Sequence, residues 1–131
     1  MMLSRKRKRR ILVADDDDDF LRVTRAILEY AGFLIDTAEN GEEALRALKR
    51  QKYDLLILDI IMPKVDGIKL FQMVQKSKSH SRVPVLFVSG HTARAVLPEQ
   101  QWEIVKKADG LIQKPIRTKN FLEEVKTLVE K

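Results

Sequence analysis

The chain has 131 residues, no cysteine, 25 Lys and Arg against 19 Asp and Glu, and a formal charge of +6. That length suits one domain with its own core, and the missing cysteines exclude a disulfide framework, thiol catalysis and Cys-based zinc sites. No apolar run approaches the roughly 18 residues of a membrane span, and no apolar stretch follows the basic start as a signal peptide requires, so the chain reads as soluble and cytoplasmic.

Six consecutive cations, Arg5 to Arg10, account for the whole positive excess, and the sequence after Arg10 is formally neutral. Such a run is expected to be a disordered, solvated tail over residues 1–9, followed by a single domain at 10–131. The excess then belongs to a tail rather than to a face. No membrane contact is expected, and nucleic acid is expected at most weakly and salt-sensitively through the tail.

Ile11–Ala14 is a short apolar run of β character ending at Asp15 and Asp16. Asp17, Asp18 and Asp19 then precede Phe20, Leu21, Val23, Ile27, Leu28 and Ala31, the spacing of an amphipathic helix with acids in its favourable first turn. Gly32 ends that helix and Phe33–Ala38 is the next strand. Asn40 and Glu43 form a capping-box-like start to a second helix that turns Ala44, Leu45, Ala47 and Leu48 inward.

Leu55–Leu58 is an apolar run without polar alternation, as suits a strand buried on both faces, and Asp59 stands at its end. Met62-Pro63 stops the strand and Asp66-Gly67 offers a turn and a third helix start, followed by Ile68, Leu70, Phe71 and Val74. A polar loop from Lys76 to Arg82, with His80 at its surface, leads to a fourth strand, Val83–Val88, and to Ser89-Gly90. A loop over His91–Leu97 is expected next, with Pro98 at the first position of a fourth helix that packs Trp102, Ile104 and Val105. Gly110–Gln113 is a fifth strand stopped by Lys114-Pro115, and Phe121, Leu122, Val125, Leu128 and Val129 mark the last helix. Strand then helix, five times over, argues an α/β fold with a five-stranded parallel sheet and helices on both faces.

In open α/β sheets ligands bind outside the carboxyl ends of the strands. That edge collects Asp15 and Asp16 from the first strand, Asp59 from the third, Ser89 from the fourth and Lys114 from the fifth. Carboxylates so close raise one another's pKa unless a divalent cation neutralises them, and Mg²⁺ suits a few carboxylates, waters and a phosphoryl oxygen. A carboxylate nucleophile forming an aspartyl phosphate is the chemistry this set supports.

Ile11-Leu-Val-Ala-Asp15-Asp16, Leu58-Asp59-Ile-Ile-Met62-Pro63, Asp66-Gly67, Val88-Ser89-Gly90 and Lys114-Pro115 together resemble the response-regulator receiver family, over about Arg10 to Lys131. The resemblance implies the flavodoxin-like (βα)5 fold with strand order 2-1-3-4-5. It implies Asp59 as phosphoacceptor, Asp16, Asp59 and the Ile61 carbonyl as Mg²⁺ ligands, and Asp15 as a ligand through water. Ser89 becomes the switch hydroxyl, and Lys114 pairs with the phosphoryl group, following a cis Lys114–Pro115 peptide that aims it at Asp59. By the same resemblance the donor would be a phosphohistidine on a sensor histidine kinase or phosphotransfer protein, the output would go through a partner or a further segment, and the chain would be a signalling switch rather than an enzyme. Two departures stand out: Leu111 replaces the usual Tyr or Phe, and the 25-residue step from Ser89 to Lys114 is longer than usual by roughly three residues.

Rival readings fare worse. A phosphatase of the haloacid-dehalogenase type needs a second Asp two residues past the nucleophile, where this chain has Ile61. A calcium loop beginning at Asp15 fails at Phe20 and Ala26, where Gly and a bidentate Glu are required. A pseudo-receiver acting only as a protein-interaction module is the alternative that a phosphodonor would test.

Overall fold

The computed structural model describes residues 7–130. Its strands are β1 (Arg10–Ala14), β2 (Leu34–Ala38), β3 (Leu55–Asp59), β4 (Val85–Ser89) and β5 (Gly110–Gln113). Its helices are α1 (Asp18–Tyr30), α2 (Gly41–Arg50), α3 (Gly67–Lys76), α4 (His91–Val96), α5 (Glu99–Val105) and α6 (Thr118–Val129). The strands form one parallel sheet in the order β2-β1-β3-β4-β5, the flavodoxin-like arrangement expected.

β3 and β4 are buried at all five positions each, which is why their apolar runs lack alternation. Successive strand residues serve opposite layers. Leu12, Leu56, Leu58 and Phe87 pack with Leu48, Phe71 and Val105, on the side of α2, α3 and α5. Ile11, Val13, Ile57, Leu86 and Val88 pack with Leu28, Phe121 and Val125, on the side of α1 and α6. The first layer is pinned by an edge-to-face contact of Phe71 and Phe87, with centroids 5.3 Å apart at 71°.

Local chemistry starts the helices where the sequence indicated. Asp17 caps α1 by accepting from the N–H groups of Asp19 (3.0 Å) and Phe20 (3.2 Å), with Asp18 and Asp19 in the first turn. Asn40 accepts from Glu43 N–H at 2.9 Å, while the Glu43 carboxylate reaches back to Glu39 N–H, one residue before the cap. Asp66 caps α3 by accepting from Lys69 N–H at 2.8 Å. Gly32, at φ 102°, turns the chain from α1 into β2.

Several details correct the sequence reading. His91–Val96 is helical rather than a loop, so six helices are described instead of five. The long step after Ser89 is absorbed by a helix broken at Leu97 (φ −72°, ψ 125°), because the residue before a proline is driven out of the helical region. Pro98 stands one position earlier than expected, at the N-cap of α5, where its extended ψ of 155° precedes Glu99. β2 begins at Leu34 rather than Phe33, and β4 runs Val85–Ser89 rather than from Val83. In α1 the buried stripe is Leu21, Thr24 and Leu28; Val23 lies 100° off it and is exposed. The disorder expected for the tail falls largely on residues 1–6, outside the described residues; Arg7 to Arg9 have no regular secondary structure, but Arg7 and Arg9 form ion pairs with Asp54 rather than standing free in solvent.

Candidate functional site

Parallel pairing in register brings five separated residues to one sheet edge. Ala14 pairs with Leu58, Asp59 with Val88, and Ser89 with Gln113. Asp15 and Asp16 therefore leave β1 beside Asp59 at the end of β3, while Lys114 leaves β5 beside Ser89, whose carbonyl accepts from Lys114 N–H at 2.9 Å. One carboxylate oxygen from each of Asp15, Asp16 and Asp59 lies within 4.8 Å of the others.

These acids sit in unlike surroundings. Asp15 is fully buried and Asp59 is 7 % exposed, whereas Asp16 faces solvent. Burial, followed by the nearby Asp15 charge, pushes the Asp59 carboxyl up to about 7, against the opposing pull of Lys114. Burial also raises Asp15, opposed by Lys114 and by the N–H of Asp17, which donates to Asp15 at 2.9 Å. A divalent ion is the partner that three carboxylate oxygens this close together suit.

The Lys114–Pro115 peptide is cis, as expected. The lysine lines the same cavity as Asp59, and its ammonium lies 2.8 Å from Asp15. Asp15 is the deeper acid with the stronger demand for a counter-charge. The same ammonium stands 4.4 Å from the Phe20 ring centroid. Phe20, expected only to pack, thus also flanks the lysine; its place one turn after the acidic cap residue was the available signal.

Ser89 is fully buried at the end of β4, and its hydroxyl donates weakly to the Gly90 carbonyl at 3.4 Å. Gly67 allows the start of α3 to lie against β3: a Cβ there would come within 2.0 Å of the Asp59 carbonyl, so any side chain would displace the loop carrying Ile61. Ile61, 36 % exposed, shares a cavity with Asp16, Asp59, His91 and Lys114. His91, exposed at the first position of α4, therefore does overlook the site. His80 is half-buried rather than simply superficial, and Trp102 packs against the core as expected. Leu111, in place of the usual aromatic, is 43 % exposed on the edge strand β5.

The family model "Response regulator receiver domain" matches residues 11–126. The chain is 32 % identical over 110 residues to a probable transcriptional regulator ycf29 of Porphyra purpurea, covering 82 % of this chain and 51 % of that protein. It is 33 % identical over 110 residues to the transcriptional regulatory protein ResD of Bacillus subtilis, covering 84 % of this chain and 43 % of ResD. The chain thus spans about half the length of the curated relatives it matches. Among solved structures, the CheY-like response regulator receiver domain protein of Methanospirillum hungatei superposes with a TM-score of 0.84 at 25 % identity, covering 95 % of each chain. The receiver domain of a signal transduction histidine kinase of Syntrophus aciditrophicus superposes with a TM-score of 0.82 at 26 % identity, covering 93 % of this chain and 90 % of that one. A sheet in the order 2-1-3-4-5 with three carboxylates, a serine and a lysine at its carboxyl edge agrees with these matches: the chain belongs to the response regulator receiver family of two-component signalling.

Proposed function

We propose that this chain accepts a phosphoryl group on Asp59 from the phosphohistidine of a sensor histidine kinase or phosphotransfer protein, and that the modified state changes its binding to an output partner. The observation that carries this reading is the convergence of Asp15, Asp16 and Asp59 within 4.8 Å, with the Lys114 ammonium 2.8 Å from Asp15. The donor set fits a hard divalent cation: Asp16, Asp59 and the Ile61 carbonyl would hold Mg²⁺ directly and Asp15 through water. Bound there, Mg²⁺ supplies charge neutralisation for the carboxylates and for a phosphoryl oxygen.

An Asp59 oxygen attacks phosphorus, the new O–P bond forms as the donor's N–P bond breaks, and the electron pair returns to the leaving imidazole. Asp59 must be ionised to attack, so at neutral pH its raised pKa makes the cationic neighbourhood a condition of reactivity. Lys114 is held by Asp15 and Phe20 beside the attacking carboxylate, ready to neutralise the transferred group. Ser89, buried at the adjacent strand end, has only a long hydrogen bond to give up when a phosphoryl oxygen arrives. The chain works as a cytoplasmic switch rather than as an enzyme on an external substrate.

The test is intact-mass spectrometry after incubation with Mg²⁺ and acetyl phosphate, with beryllofluoride as a non-covalent mimic. The wild type should gain one phosphoryl group and Asp59→Asn none. Equal labelling of both would move the acceptor elsewhere, and no labelling of the wild type would favour the interaction-module reading.

A further inference from the structure

Summed along the sequence, the charge after Arg10 cancels; in the fold it separates. Within that stretch, the segments that precede strands or end helices, residues 49–54, 76–84, 106–109 and 129–130, carry eight Lys and Arg against three Asp and Glu, and residues 7–10 add four further cations at the same edge. The segments at the opposite sheet edge, residues 15–19, 39–43, 59–67, 89–92 and 113–118, carry ten Asp and Glu against three Lys and Arg. The molecule is therefore polarised along its strands, with the phosphorylation site at the acidic pole and a cationic pole beneath the amino ends of the strands.

Residues 7–10 of the basic run are part of that pole. Asp54, just before β3, accepts two bonds from the Arg7 guanidinium at 2.8 and 3.1 Å and one from Arg10 N–H at 2.8 Å, laying residues 7–10 across the strand ends. Arg9 lies 3.8 Å from both Asp54 and Glu130. Around this anchor are three adjoining depressions: one shares Arg50 with the second and Ser79 with the third, and the second and third share Tyr53. Lys52, Lys78 and Arg82 line them, are exposed, and have no side-chain hydrogen bond or ion pair among the described residues.

We propose that this cationic pole binds the phosphate backbone of double-stranded nucleic acid, without reading its sequence. Exposed cations with no partner in the fold, set along grooves and reinforced by the forked guanidinium of Arg82, suit spaced phosphate oxygens. Among the residues lining the three depressions, Met73 is the one exposed large apolar side chain, which gives a bilayer no wedge to take up. The acidic pole would repel the same duplex, so the protein binds in one orientation and leaves the carboxylate cavity turned to solvent.

Fluorescence anisotropy of the full chain with labelled 20-base-pair duplexes of unrelated sequence tests this across a salt series. Equal affinities are expected, with a log–log salt slope of about −5, and the K52E/K78E/R82E variant should bind at least tenfold more weakly with a slope smaller in magnitude by roughly 2 to 3. Circular dichroism and Mg²⁺-dependent beryllofluoride binding at the far pole should be unchanged in that variant. Should the triple reversal fail these folding controls, K52Q, K78Q and R82Q separately should each reduce the slope by about 0.9. Unchanged affinity and slope in the variants would overturn the proposal, as would binding confined to one sequence. Tighter binding to phosphatidylserine vesicles than to DNA would overturn it in favour of a membrane surface.

Discussion

Strand β3 carries a carboxylate at each end, Asp54 just before it and Asp59 at its last position, and the two are in opposite electrostatic condition. Burial presses both upward, but for Asp54 the bonds from Arg7 and the Arg10 N–H, with the charges of Arg7 and Arg9, prevail and hold the carboxyl below its usual range. Asp59 instead meets Asp15 and Asp16, and its carboxyl rises to about 7. One end of the strand is an ion pair in which the cations prevail; at the other, burial and two neighbouring carboxylates outweigh Lys114. Residue type does not separate the two acids here; Asp59 lies deeper than Asp54, and the partners supplied by other elements set the direction in which each carboxyl moves.

The sharpest way to break this comparison is to remove the charge at the Asp59 end. Asp59 binds its proton more tightly folded than unfolded, so folding takes up a proton between about pH 4 and pH 7, and its contribution to stability falls as pH rises through that window. In metal-free solution at pH 8, Asp59→Asn should stabilise the protein by up to about 4 kcal/mol, the gain fading toward pH 4. Urea denaturation at both pH values measures this, and a destabilised variant at pH 8 would mean that Asp59 is already satisfied.

Binding of Mg²⁺ should do part of the same work in the wild type. Mg²⁺ at about a hundred times its dissociation constant should raise unfolding free energy by about 2.7 kcal/mol at pH 8 and much less in Asp59→Asn, with EDTA reversing the effect. Equal gains in both proteins would place the ion away from Asp59.

The Asp54 end should respond with opposite sign. Asp54→Asn loses the charge that holds Arg7 and weakens the bond from Arg10 N–H, and should cost about 1 to 3 kcal/mol at pH 7. Because the folded pKa of Asp54 is depressed, that contribution is complete above about pH 4 and is lost as pH falls through the folded value. Wild type and Asp54→Asn should therefore converge in urea midpoint near pH 2; a gap that persists in strong acid would assign the loss to packing instead.

The smallest effect concerns how long the phosphoryl group stays. Ile61 lines the cavity beside Asp59 and His91 with a branched apolar side chain that cannot orient water. Ile61→Asn should hasten decay of the phosphorylated protein several-fold, equivalent to less than about 1.4 kcal/mol in barrier height. An unchanged or slower rate, followed by mass spectrometry without kinase or phosphatase, would show that Ile61 does not govern water access.

Much of the fold was legible because its signals are local. Four-residue apolar runs ending in acids, Asp17, Asn40 and Asp66 ahead of periodic helices, and a strand-stopping Met62-Pro63 each act over a few residues, and physics at that range survives into the fold. The site was legible for a topological reason: in a parallel sheet built from strand–helix units, every strand's carboxyl end lies on one edge, so Asp15, Asp59, Ser89 and Lys114 had to meet. The helix within His91–Val96 was missed because six residues carry too little periodicity to distinguish a short helix from a loop. Val23 was misplaced because a Thr, with an intrinsically polar side chain, occupies the buried position beside it.

By itself, then, the sequence determined the order of elements, the caps and the identity of the residues at the carboxyl edge, all of which depend on near neighbours or on alternation alone. Tertiary structure decided which acid Lys114 would meet, that Phe20 would flank it, that the Asp54 carboxyl would be lowered and that of Asp59 raised, and that a neutral stretch of chain would separate into two charged poles. Those outcomes are set by distances of a few ångströms between residues far apart along the chain. Coulomb energies and desolvation change steeply over such distances, and charge summed along the sequence contains none of them.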